Sequence, residues 1–521
     1  MIRQALIQNA RHGQTSTIFN LPVPVGGLNA QDALADMKPE YALILTNLFP
    51  GEGSVSARRG FQEHFTGLPD TIDTLIVWNG PSSLKMLAAT GDSIFNVSNS
   101  GSVGSATTAM YTSLTSVRLQ YTNLANTAGN FTVMVNGEDT PLKYDGSSVT
   151  TTTITGTGLT ATDLIYVASH KKRLWFVEKQ STDAWYLATD AISGAAVKFP
   201  LGSSFREGGH LVAIGSFSAD AGDGMDDFAA FISDRGEIAV YAGTDPASAS
   251  TWSLVGVYKT GEIIGQRPLV RLGGDLFLLT HDGLVSMTDI IKLSRAEAQY
   301  ASPGNKIMPL LNNAARNYDN NFGWEAVNYA RGKWLLINIP VIEGQSQIQY
   351  VMNITTGAWC DFSGMNANCW AVYNDEIYFG GDTAVYKADS TQADNGNDIN
   401  TEMSGAYSYL RNKKLKQFMM MRPVIGSDGV PSFQVGVNID FEEIEPMGSV
   451  SANPQEAWMW DDAVTGIWGN MVWGGARSII KAWTGISGIG IAVAPHFIAN
   501  INGQSCELFS FDILYEQGGV Y

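Results

Sequence analysis

Between about residues 70 and 395, apolar and polar residues alternate in short runs, and each run ends in a tight turn before a second alternating run. Instances are LKMLAATGDSIFNVS, FTVMVNGEDTPLKYDG, RLWFVEKQSTDAWYLAT, FAAFISDRGEIAVYAG, LFLLTHDGLVSMTD, WLLINIPVIEGQSQIQYVMNITTGAW and WAVYNDEIYFGGDTAVYKAD. Alternation with period two marks half-buried strands. The turns at Asn136-Gly137, Arg235-Gly236 and Asp282-Gly283 supply the positive φ that short hairpins demand. The hairpins recur at roughly 40–55 residues, the period of a four-stranded propeller blade. This pattern predicts one closed β-propeller of about six or seven blades over residues 71–395. A pair of β-sandwiches is the competing arrangement, disfavoured because the recurrence continues without a break in composition.

The flanks read differently. Ile290 to Tyr318, IIKLSRAEAQYASPGNKIMPLLNNAARNY, carries helical spacing around Met308, Leu311 and Ala315, with Pro309 in a first turn, and predicts a helical excursion between blades. KPEYALILTNLF, with Pro39 at its start, predicts a short helix, and SVSARRGFQEHF a strand. Residues 396–521 alternate again in YSYLRNKKLKQFMMMRPVIG, PSFQVGVNIDFEEI, HFIANING and CELFSFDILYEQGGV, interrupted by a Trp-rich insert with Trp458, Trp460, Trp468, Trp473 and Trp483. The prediction is an all-β chain: residues 1–70 and 396–521 together build a sandwich-like or barrel-like platform domain. Neither piece makes a comfortable core alone. The strand around Ser54 to Phe65 is the expected N-terminal partner of the C-terminal set.

Composition narrows the function. Charged residues are only 16% of 521, and the formal net charge is −18. Gripping nucleic acid by neutralising phosphates needs clustered Lys and Arg, so that class is disfavoured; a wall that DNA merely passes is not. Cys360, Cys369 and Cys506 are too few for a disulfide framework and match no zinc spacing, which predicts free thiols made in a reducing cytoplasm. MIRQALIQNARHGQTST turns polar too soon for a secretory signal, and no apolar run nears the ~20 residues that span a bilayer. The expectation is a soluble product.

Candidate chemistry is thin. A sialidase-like propeller would repeat a Ser-x-Asp-x-Gly-x-Thr-Trp turn, and only TDPASASTW (Thr244 to Trp252) approaches it. Arg235, Arg267 and Arg271 could be gathered by the fold, but surface and inter-blade ion pairs are the commoner use of such residues. DAGDGMDD places Asp220, Asp223, Asp226 and Asp227 in one Gly-rich loop; the alternating ligands and distal Glu of a calcium loop are missing, which favours a solvated acidic loop. The six histidines show no ligand spacing, and no Gly-rich loop ends in Lys-Ser/Thr. The reading is therefore no catalysis, no cofactor and no tightly held metal. The tryptophans of the insert are too costly to leave in water, so they predict core or subunit interface before a sugar-stacking site.

One stretch fits none of this chemistry: VGGLNAQDALADMKPEYALILTNLFPGEGSVSARRGF. It resembles the N-terminal signature of tail proteins from short-tailed bacteriophages, known as nozzle, tail-tubular-B or packaged-DNA-stabilisation proteins. The matching positions are Gly26, Gly27, Leu28 and Asn29, a turn expected at Asn47, Phe49 and Pro50, and Arg58 with Gly60. The closing FSFDILYEQGGVY is similar to that family's last strand. The resemblance implies a propeller carried on a platform built from both termini, with six copies forming a tube. It also implies a structural role in the virion tail, assembled in the host cytoplasm. The partners it implies are the head-to-tail adaptor, tail fibres or spikes, and genome DNA passing without sequence-specific binding. Lys413, Lys414 and Lys416 are then expected at subunit or adaptor contacts, together with Trp458, Trp460, Trp468 and Trp473. The alternatives are a glycan-binding or glycan-cleaving propeller, tailspike-like or sialidase-like, and a monomeric cytosolic scaffold.

Overall fold

A computed structural model describes residues 16–104, 108–220, 225–446, 448–450 and 478–517. The chain divides into two compact units. One holds residues 1–27, 32–57 and 400–521 (the termini unit); the other holds 28–31 and 58–399 (the propeller unit).

In the propeller unit, six separate antiparallel sheets repeat the blade pattern. The first joins Ile72–Asn79, Leu84–Thr90 and Ser93–Asn96. The second runs from Gln120–Asn126 to Val149–Thr151, the third from Leu164–His170 to Val197–Pro200, and the fourth from Leu211–Asp220 to Trp252–Lys259. The fifth is Leu269–Leu272, Asp275–Thr280 and Gly283–Ser286. A four-stranded meander, Glu325–Tyr329 to Trp359–Phe362, occupies the next position in the ring, before the sixth sheet. That last sheet closes the circle by mixing chain ends: Cys369–Tyr373, Glu376–Gly380 and Val385–Thr391 are completed by Gly60–Thr66, paired antiparallel to Val385–Thr391. The first strand of each sheet packs on the next, and Cys369–Tyr373 returns to Ile72–Asn79.

The core of this unit is shared out between blades. Ile76, Leu87 and Ile94 pack with Leu119 and Met134 of the second blade, and Val133 and Val135 with Phe176 and Trp185 of the third. Phe65, Val385 and Tyr378 pack with Ile72 and Met86 across the closure. Burial of apolar area thus drives blade against blade, and a ring leaves few exposed edges. Gly137, Gly236 and Gly283 do adopt positive φ at the expected turns. The helical excursion is present as α1 (Met287–Lys292), α2 (Arg295–Ala301) and α3 (Met308–Tyr318), with Pro309 in the first turn of α3.

The inter-blade packing also buries a histidine. His170 is nearly inaccessible, with Nδ1 2.8 Å from Ser216 Oγ of the fourth blade, and burial pushes its pKa down to about 4. In the folded state it stays neutral while the unfolded chain takes up a proton near pH 6.5. Stability is therefore expected to fall as pH drops from about 6.5 towards about 4, because the unfolded state binds more protons in that window. A pH series of thermal midpoints should show His170→Gln to be flatter than the native chain there.

The termini unit is a sandwich. One sheet sets Thr17–Pro22 on Glu507–Gln517 and that strand on Lys416–Ser427, with Thr484–Gly490 and Ser478–Ile480 along its other side. The other runs Tyr41–Thr46, Ile399–Gly405, Val493–Ile501, Ser432–Ile439 and Gly448–Val450. Their inner faces meet where Phe497 of one sheet contacts Phe511 of the other, ring centroids 6.4 Å apart.

Three expectations are corrected. KPEYALILTNLF is not helical: Tyr41–Thr46 is a strand. Ala42 and Leu45 both face inward because the ladder with Ile399–Gly405 shifts register between Ala42 and Ile44, and such a bulge gives a strand helix-like spacing. Nor do Asn47, Phe49 and Pro50 form one turn. Phe49 and Pro50 are strand residues of Leu48–Pro50, in register with Ser56 and Val55. Asn47, at φ +57°, makes the change of direction by itself, and the chain is extended again from Leu48. Finally, Ser54 to Phe65 does not serve one domain. Val55–Ala57 belongs to the termini unit, pairing with Glu507 and Leu508, whereas Gly60–Thr66 is the propeller's closing strand.

Candidate functional site

The signature positions fall mostly where the backbone has special needs. Gly26 donates its N–H to the Glu40 carbonyl at 2.7 Å, and a Cβ there would run into that oxygen and the Tyr41 ring. Gly27 adopts φ +82°, which glycine takes without the Cβ penalty of other residues. Leu28 and Asn29 are buried; the Asn29 side-chain oxygen accepts from the Gln31 N–H at 3.1 Å. Asn47 sits in the left-handed region, which Asn tolerates better than most residues, and its Nδ2 donates to the Asn400 carbonyl at 2.7 Å. The strand Leu48–Pro50 then pairs back on Val55–Ala57, and Ser54 Oγ bonds the Glu507 carboxylate. Along that strand Leu48 and Pro50 are buried and Phe49 is half-buried. Phe49 therefore marks a strand face rather than a backbone constraint, unlike Asn47 beside it.

Arg58 is the most heavily bonded member. Its guanidinium is fully buried and grips Asp394 with both ends, Nη1 to Oδ1 at 2.7 Å and Nη2 to Oδ2 at 2.6 Å. Nη2 also reaches the Ser363 carbonyl at 2.7 Å. Such a fork-to-carboxylate pair has fixed direction as well as charge. Gly60 completes the grip, since a Cβ there would overlap the Ala393 carbonyl. The Asn395 N–H donates to the Phe61 carbonyl at 2.7 Å. Arg58 and Gly60 therefore lock the start of the closing strand to the turn that follows Val385–Thr391.

The lysines part company. Lys413 and Lys414 are exposed, Lys413 lying over Tyr409 at 4.6 Å. Lys416 is fully buried, and its ammonium donates to the carbonyls of Asn412, Lys414 and Ile491 at 2.6, 2.9 and 3.1 Å. Its expected role as a subunit or adaptor contact is corrected: the charge is consumed inside the chain. Burial pulls its pKa down, yet three donated bonds need the ammonium, since a neutral amine has two hydrogens. Trp458, Trp460, Trp468 and Trp473 lie outside the described residues. Trp483 is half-buried beneath Arg422, whose guanidinium sits 4.8 Å from its ring.

Of the acidic loop, Asp223 lies outside the described residues and Asp220 and Asp226 are placed only as strand positions. Asp227 pairs with Lys171 at 2.6 Å, and that ammonium holds its pKa below the usual range. Among the described residues no group of three or more His, Cys, Asp or Glu is placed to hold a metal ion. Cys360, Cys369 and Cys506 are buried, and none of them forms a disulfide among the described residues. Among the described residues Arg235, Arg267 and Arg271 share no hydrogen-bond or ion-pair partner, and Arg235 pairs with Glu262 at 2.9 Å on the surface.

Arg267 does something no spacing announced. From the fifth blade it reaches across to the first and second, donating to the Asp73 carbonyl and Thr74 Oγ1 at 3.0 and 2.7 Å and to the Leu119 carbonyl at 3.3 Å. It also pairs with Glu325 at 3.6 Å. Glu325 accepts the Trp370 N–H at 3.0 Å, and burial pushes its pKa up. Arg118 pairs with both Asp73 and Glu343. Two arginines and three carboxylates thus satisfy one another, tying the first, second, fifth and sixth blades and the meander together. No helix of the described residues is long and apolar enough to cross a membrane.

No protein-family profile matches this chain, and no curated protein matches it. Among solved structures it is similar to YCF48 bound to D1 peptide, at 11% identity over 69% of this chain and 98% of that one, TM-score 0.36. YCF48 from Cyanidioschyzon merolae matches at 8% identity over 63% and 98%, TM-score 0.28. A glycoside hydrolase family 43 arabinoxylan arabinofuranohydrolase from Bacillus subtilis, in complex with cellotetraose, matches at 9% identity over 86% and 96%, TM-score 0.24. Likenesses this loose fix neither substrate nor partner.

Proposed function

We propose that this chain is a structural protein of a short-tailed phage, one of six copies in the tail nozzle below the head-to-tail adaptor. In this reading it does no chemistry; it retains genome DNA and then conducts it. The observation that carries the reading is the signature from Gly26 to Gly60, in which Gly26, Gly27, Asn47, Arg58 and Gly60 are the residues that their sites require. The division into a propeller and a unit made from both chain ends is the plan that the resemblance implies. The net charge of −18 suits a wall that phosphates slide past, since a basic lining would hold duplex DNA by counterion release.

Light scattering and class averages of the purified protein test it. The expected result is a ring of six 56.1 kDa chains, about 337 kDa, formed alone or on adding the adaptor. A chain that stays single under both conditions, or that hydrolyses host surface polysaccharide, would overturn the proposal.

A further inference from the structure

Three adjoining segments of the termini unit, residues 408–416, 439–445 and 489–492, make a corner that is cross-linked by hydrogen bonds, apolar and charged with both signs. Leu415, Phe441, Ile444, Ile489 and Ile491 are all exposed there. Five large apolar side chains on neighbouring segments are more than the scattered singles normal for a surface. The backbone is held, not slack. Leu410, Arg411, Asp440 and Phe441 all have positive φ, between 45° and 76°, a conformation costly for side chains of this size unless the surroundings impose it. What imposes it is visible. The buried Lys416 ammonium binds the carbonyls of Asn412, Lys414 and Ile491. Asp440 Oδ1 accepts the N–H groups of Ile491 and Ala492, both at 2.8 Å. The Tyr407 ring packs on Phe441 at 4.6 Å.

The corner displays Arg411, Lys413 and Lys414 on one loop and Glu442, Glu443 and Glu445 on the next, all exposed. None of the six makes an ion pair among the described residues. Exposed apolar residues between loops of opposite sign, neither of them ion-paired among the described residues, are half of a contact. A partner of one sign would satisfy one loop and repel the other. A second copy of the same chain offers both signs at once, which is the complementarity that a contact repeated between identical subunits needs.

We propose that this corner is a contact between copies of the chain, the basic loop 411–414 of one copy seated against the acidic loop 442–445 of another around the exposed isoleucines. The proposal builds on the ring reading but is separable from it. The test uses full-length chains in three forms: Lys413→Glu with Lys414→Glu, Glu442→Lys with Glu443→Lys, and all four substitutions together. Each double variant is expected to weaken self-association at least about tenfold, because like charges then face each other. The fourfold variant should return to near the native value, and an equimolar mixture of the two doubles should associate where neither does alone. All four side chains project from the surface, so thermal midpoints should match the native chain and separate a lost contact from a lost fold. Association of both doubles at native strength would overturn the proposal, as would a fourfold variant no better than the doubles. So would a native chain that never self-associates. A charge-swap rescue with only two copies would keep the contact and defeat the six-fold reading.

Discussion

Replacing Arg58 with alanine is expected to destabilise the propeller unit by about 3–5 kcal/mol, the range for breaking a buried ion pair from one side. The loss has two parts. The Asp394 carboxylate, only 10% exposed, is left without its counter-charge, and the Ser363 carbonyl loses its charged donor. The substitution also cuts the clasp at the one place where the ring is closed by strands about 320 residues apart in sequence. Hydrogen exchange gives the local readout: amides of Gly60–Thr66 and Val385–Thr391 should lose protection first, ahead of the second and third blades. Arg58→Lys keeps the charge but not the fork, so it should recover only part of the stability. A variant within about 1 kcal/mol of native, with unchanged protection on those strands, would show that the pair is not what holds the closure.

Lys416→Glu is expected to unfold or severely weaken the termini unit, at a cost of several kcal/mol. A carboxylate would be buried against the carbonyls of Asn412, Lys414 and Ile491, acceptor against acceptor, with no donor. Lys416→Met keeps the stem but strands the carbonyls, and should cost roughly 1–3 kcal/mol. Lys413→Glu and Lys414→Glu should leave the melting transition unmoved. A variant reversing all three lysines therefore fails through its fold, and says nothing about assembly. Circular dichroism melts of the single variants decide this; a Lys416→Glu chain melting with the native one would place that ammonium in solvent.

Much of the fold is legible because hairpins are local. Alternation and Gly-bearing turns need only neighbours in sequence, so the hairpins of the blades and a helical excursion around Met308 can be read directly. What cannot be read is long-range. The pairing of Arg58 with Asp394, 336 residues away, and the reach of Arg267 to Asp73 and Thr74, nearly 200 residues away, leave no trace in spacing. Tyr41–Thr46 misleads for a different reason: a register shift puts Ala42 and Leu45 on one face, and a bulge imitates helical periodicity. Lys416 is the most instructive case. A run of three lysines in four residues suggests solvent, yet strand alternation puts Lys416 on the same inward face as Phe418. The period outweighed the charge.

The candidate site divides along the same line. Gly26, Gly27, Asn47 and Gly60 could be recognised as positions of backbone need, because glycine and asparagine at such places point to positive φ or close approach. Phe49 and Pro50 could not be assigned that way, since a proline beside a Gly-rich stretch suggests a turn while the ladder with Val55–Ala57 makes both of them strand. Of the charged corner the sequence marks the basic loop, through Lys413 and Lys414; the acidic loop lies about 30 residues further on and is tied to it through Tyr407, Asp440 and Lys416.

The central claim is that this chain builds a phage tail, and immunogold electron microscopy of the parent particle tests it most directly. Antibody raised against the purified propeller unit is applied to intact virions. Gold is expected at the short tail below the head in most particles, and no tail is expected on particles made without this chain. Unlabelled virions of normal tail structure, with the protein confined to the host cell, would contradict the claim.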